Sequence, residues 1–175
     1  MDKQSIKNKL LENHQSFIDY VLSLSDEEYL HSQNQKWTAG QQLEHIYLSV
    51  KPCRLALSLP KFLPKLIWGQ ANRESKSYDE LVTKYLSKLE NGGTAPGRFV
   101  PKKISVQQRQ KLKTALLKEI EQLCSKLDNF TENELDKFIL PHPLLGKLTV
   151  REMLYFTIYH VTHHHQLTKR NLNKL

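Results

Sequence analysis

TVREMLYFTIYHVTHHHQL, residues Thr149 to Leu167, opens on a threonine with a glutamate three residues later. That spacing is a capping box: each side chain bonds the backbone N–H of the other, so two orphan donors at a helix start are satisfied. Behind the box Val150, Leu154, Ile158 and Val161 recur at helical spacing and form one apolar face. No glycine or proline interrupts the run. The stretch therefore predicts a long helix, and the same signals recur upstream. Thr38 with Gln41, Ser77 with Glu80, Ser105 with Gln108 and Thr131 with Glu134 mark further helix starts.

Periodicity supports these starts. Near the N-terminus Ile6, Leu10, Phe17 and Val21 share a stripe, which Leu11 and Ile18 are expected to widen. After Ser105, Leu112, Leu116, Ile120, Leu123 and Leu127 do the same. Four long helices follow, at roughly 5–24, 39–58, 105–128 and 150–171, with a shorter one near 77–91. Apolar stripes of similar width are buried most simply in an all-α four-helix bundle with short extra helices, built as a single domain over residues 1–175.

Breaks in the pattern are as informative. Asn91-Gly92-Gly93 is a helix stop, and the following GGTAPGRFVPKK predicts a long irregular loop near 92–104. Pro52 is expected to kink the second helix or end it early, and Pro60 and Pro64 to divide SLPKFLPKLIWGQ into short pieces. LPHPLLGKLT, Leu140–Thr149, is a non-helical connection with room for a short hairpin.

Composition narrows the function classes. The formal charge is +8, but the lysines are spread along the chain, without an Arg-rich run or interleaved aromatic platform. A nucleic-acid role has little support; attraction of a small anionic substrate or a plain solvated surface fits better. No apolar run approaches the roughly 20 residues of a membrane helix, so no membrane role is expected. Cys53 and Cys124 are too few for a disulfide framework and are expected to be structural thiols. With no apolar signal-type stretch in Met1–Phe17, a cytoplasmic protein is expected.

Four of the eight histidines fall within six residues: His160, His163, His164 and His165. At about 100° per residue, His163 lies about −60° and His164 about +40° from His160, while His165 lies near 140°, on another face. His160 and His164, one turn apart, have the spacing that lets two imidazoles reach one metal ion from a single helix. Val161 stands where HExxH has its glutamate base, so a metalloprotease is not indicated. A third ligand must come from elsewhere. His45, on another predicted helix, is the natural candidate, although a lone histidine there also fits a satisfied core position. Glu44 points about 100° away from His45 and is not counted. Gln41, one turn before His45, is placed to border a pocket, though its capping role already explains it. Tyr47, Tyr155 and Tyr159 fit either a pocket lining or plain core. His14 and His31 have no helpers and are expected at the surface.

Taken together, Trp37, Thr38, Gln41, Gln42 and His45, followed by Gly146, Leu148, Thr149, Glu152 and Leu154 and the H-x-x-H-H end, resemble the DinB-like superfamily. That group includes YfiT-type proteins and transferases that use bacillithiol. The resemblance covers nearly the whole chain. It implies a four-helix bundle with a divalent metal, zinc or nickel, held by His45, His160 and His164. Many members are dimers, so a homodimer is implied as well. Relatives often carry Gln seven residues after the first C-terminal histidine; here that position is Leu167, Gln166 precedes it, and His165 is extra.

The function expected is that of a metal-dependent enzyme acting on a small electrophilic substrate, by S-transfer from a low-molecular-weight thiol or by related transfer or hydrolysis. His163, on the ligand face, would be a group supporting the ligands or a proton shuttle, or else a packed neighbour. The alternatives are a metal- or small-ligand-binding bundle without turnover and, with least support, a nucleic-acid-associated stress protein.

Overall fold

The computed structural model describes residues 1–32 and 36–172. Helix α1 (Lys3–Ser23) is followed by a short α2 (Asp26–Leu30), then α3 (Ala39–Leu57), α4 (Phe62–Trp68) and α5 (Tyr78–Glu90). Helix α6 (Arg109–Leu127) and the short α7 (Glu132–Lys137) lead into a hairpin of β1 (Ile139–His142) and β2 (Gly146–Thr149), and α8 (Val150–Leu172) ends the described chain. The four long helices, α1, α3, α6 and α8, form the bundle, with α5 and α7 packed against α8.

The capping boxes form as the sequence requires. Thr149 and Glu152 exchange bonds of 2.9 and 3.1 Å at the start of α8. Ser25, which the sequence pattern did not single out, adds another box at the start of α2.

Helix α8 is the centre of the bundle. Every residue from Val150 to Ile158 is buried, because α1, α3, α5, α7 and the hairpin surround its first half. Two charges are enclosed there and both are paired. Arg151 binds Asp136 and Glu132. Glu152 accepts two bonds from Arg73, at 2.6 and 2.7 Å, and one from the Lys76 N–H. One carboxylate thus caps α8 and also fastens the segment entering α5.

Several expectations need correction. Leu11 does not widen the α1 stripe; it is 42% exposed. His14 takes the place instead and is fully buried, being four residues after Leu10 and three before Phe17 on the inward face. Its Nδ1–H donates to the Leu10 carbonyl, and its Nε2 has no partner among the described residues. His31 is half-buried rather than exposed. Helix α3 does not end at Pro52 but runs on to Leu57. A proline inside a helix costs about 3 kcal/mol, and burial of Val50, Cys53 and Leu57 around it offsets that cost. The connection before α8 does form a hairpin, pairing Ile139 with Thr149 and His142 with Gly146. Gly146, at φ +78°, makes the turn possible.

Burial pushes the His14 pKa down to about 4, against a smaller opposite effect of the Leu10 carbonyl. The unfolded chain therefore binds a proton between about 6.5 and 4 that the folded chain refuses, and stability falls as the pH drops through that window. His14→Leu should relieve this, so that its stability relative to wild type rises by about 2 kcal/mol between pH 8 and pH 5. Urea denaturation at the two pH values measures it, and an unchanged difference would contradict a neutral buried His14.

Glu152 has the opposite sign. Burial raises its pKa, but the bonds from Arg73, Lys76 and Thr149 outweigh burial and hold it below 4.5. Glu152→Gln should cost about 2–4 kcal/mol near neutral pH. Because the folded pKa is depressed, that difference should be complete above pH 4.5 and shrink as the pH falls below it, which denaturation at pH 7 and pH 3 would show.

Candidate metal centre and its cavity

His45 comes from α3, and His160 and His164 come from successive turns of α8. The packing of α3 on α8 turns all three rings toward one point. His45 Nε2 lies 3.1 Å from His160 Nε2, and His164 Nε2 lies 3.0 Å from the same atom. Each residue is only 5% exposed.

The far side of two rings is fixed. His45 Nδ1–H donates to the Phe99 carbonyl at 2.7 Å, and His164 Nδ1–H donates to Gln42 Oε1. An oxygen acceptor at Nδ1 places the ring proton there and leaves Nε2 with a lone pair directed inward. The two Nε2 contacts converge on the Nε2 of His160, so the lone pairs of His45 and His164 face the same point. Two nitrogens each about 2.0–2.1 Å from an ion lie within about 4.2 Å of each other, and the observed spacings meet that bound. The three side chains are the group among the described residues whose donor atoms lie mutually close enough for one ion.

Burial keeps these imidazoles neutral. It lowers the pKa of His45, against the Phe99 carbonyl. It lowers those of His160 and His164 further, helped by the neighbouring histidines. Neutral imidazole is the form that binds a metal. Aromatic rings hold the set in place. Trp37 lies 4.8 Å from His45 between ring centres, and Phe156 stacks on His160 at 4.7 Å.

The centre opens on a cavity of about 490 Å³. Its walls are largely apolar, with Ile46, Val50, Leu89, Leu140, Met153 and Phe156 among them. His142 also lines it; its Nδ1 accepts the N–H groups of Leu144 and Leu145, tying the hairpin turn to the cavity. The loop after α5 closes one side through Thr94, Ala95, Pro96 and a 3-10 turn at Gly97–Phe99.

His163 is half-buried on the cavity wall, with its ring 5.7 Å from Tyr85 and 5.3 Å from His164 between centres. His165 points to α1 and packs on Phe17 and Tyr20. Gln41 caps α3, and its neighbour Gln42 is the residue that holds His164. Tyr47, Tyr155 and Tyr159 are not among the lining residues, whereas Tyr85 is. Glu44 is no ligand; it accepts the Lys102 N–H at 2.6 Å and so pins the loop that carries Phe99. Cys53 and Cys124 are both buried free thiols.

Fold and site together define a helical bundle with a three-histidine centre between two of its long helices. The family model of the DinB superfamily matches residues 9–167, and the chain belongs to that superfamily. Comparison with the curated proteins and with the solved structures gives no match. Family membership and the histidine cluster fit a metal-binding protein.

If Glu44 holds the loop, Glu44→Ala should speed amide exchange across residues 98–103 by about tenfold, the effect of one charge-assisted bond. Exchange mass spectrometry on protein of unchanged helicity measures this, and unchanged exchange would show that the latch contributes nothing.

Proposed function

We propose that the protein is a metal-dependent enzyme in which His45, His160 and His164 hold one divalent ion, zinc or nickel, and that it transfers a low-molecular-weight thiol to a small electrophile. The observation that carries this reading is the convergence of three buried Nε2 atoms at the wall of a small-molecule-sized cavity. An ion bound there supplies Lewis acidity that lowers the pKa of a bound thiol or water.

The chain's own residues then orient and protect the reactants. Apolar walls exclude water. Cys53 lines the cavity, but burial pushes its thiol up to about 12, which argues against it as the nucleophile and favours a thiol cosubstrate. No carboxylate lines the cavity among the described residues, which favours thiol transfer over hydrolysis by a carboxylate base. In this reading His163, on the cavity wall beside His164, takes the proton; burial first, then Arg170 and His45, lower its pKa and favour the neutral form.

Metal analysis of protein purified without a histidine tag, after zinc or nickel supplementation, should find about one ion per chain, and less than about 0.2 would contradict the ligand set. His160→Ala should abolish uptake. Gln42→Ala should weaken it by about 10–100-fold. A screen of thiols against electrophiles then tests turnover. Conjugation rates should fall in His160→Ala, and rates equal to wild type would leave a metal-binding bundle without catalysis.

A further inference from the structure

The charge pattern of the cavity goes beyond what the histidine centre explains. Aspartate and glutamate are missing from its wall among the described residues, and the one permanently charged side chain there is Arg98. Arg98 is exposed and takes part in none of the ion pairs among the described residues. Its guanidinium sits over the Phe99 ring, 4.8 Å from the centre. The Phe99 side chain is buried, and its carbonyl holds His45. An unpaired cation is thereby fixed one residue from the group that orients the centre.

Ligand classes respond differently to this wall. A cationic group finds no carboxylate and faces Arg98. A neutral polar group gains little from a guanidinium that water already solvates. A carboxylate gains a planar, two-bond, charge-assisted pair. A phosphate dianion gains the same pair but keeps half its charge against apolar walls, which is costly. The remaining surface suits an apolar body.

We propose that the cavity binds a small monocarboxylate with an apolar body, its carboxylate paired with Arg98 and its body held against Ile46, Leu89, Leu140 and Phe156. This names the ligand class of the site described above, and it rests on the proposed enzymatic function only for the ligand's place in turnover, not for its binding.

Trp37 and Trp68, the two tryptophans of the chain, both line the cavity and report occupancy by fluorescence. The probes are 4-phenylbutanoate, 4-phenylbutanamide and 4-phenylbutylamine, titrated with and without one equivalent of zinc. Wild type should bind the acid at least about tenfold more tightly than the amide, and the amine most weakly. Arg98→Gln should bind acid and amide alike, with unchanged helicity, and Arg98→Lys should retain part of the preference. Equal binding of acid and amide by wild type, no binding of any probe, or a preference that survives in Arg98→Gln would overturn the proposal. A preference that appears only with zinc and survives in Arg98→Gln assigns the carboxylate to the metal; it overturns this proposal and leaves the metal assignment standing. An Arg98-dependent preference in a chain that takes up no zinc supports this proposal and removes the metal assignment.

Discussion

Three neutral imidazoles crowded Nε2 to Nε2, two of them with lone pairs turned inward, are an unfavourable arrangement unless something holds them there. In this chain the holding is done from behind the rings. The Phe99 carbonyl and Gln42 Oε1 accept the Nδ1 protons of His45 and His164, so the inward nitrogens are left bare. Burial prevents the simplest escape, which is protonation. The packing of α3 on α8, the course of the loop after α5 and the aromatic rings beside the histidines all maintain this one constraint.

The loop is where fold and site are most closely joined. It leaves α5 at Asn91, crosses the cavity, and is fastened by Glu44 from the turn of α3 next to His45. One turn of α3 therefore carries a centre histidine and the anchor for the carbonyl that orients it. Arg98 and Phe99, adjacent in sequence, present a cation to the cavity and a carbonyl to the centre. Movement of this loop would alter ring orientation and cavity wall together.

Much of this was legible in the sequence because it is local. Capping boxes and apolar spacing located the long helices, and the angular positions of His160, His163, His164 and His165 along α8 anticipated which rings share a side. His45, on another predicted helix, is the natural third candidate, and the family resemblance implies the same residue. What stayed hidden depends on contacts between distant segments. No local pattern links Phe99 to His45, and choosing Gln42 over Gln41 requires knowing how α3 is rotated against α8. His14 reads as a surface residue by its type, yet its spacing from Leu10 and Phe17 puts it on the buried stripe. Of the two outcomes open to Pro52, an early end does not occur, because tertiary burial outweighs a lost backbone bond.

The central claim is that His45, His160 and His164 bind one divalent ion through Nε2. X-ray absorption at the zinc edge of the loaded protein tests it most directly. The account predicts a first shell containing three imidazole nitrogens at about 2.0–2.1 Å, completed by light oxygen or nitrogen donors. A sulfur scatterer from the protein near 2.3 Å, or a shell without multiple imidazoles, would contradict it.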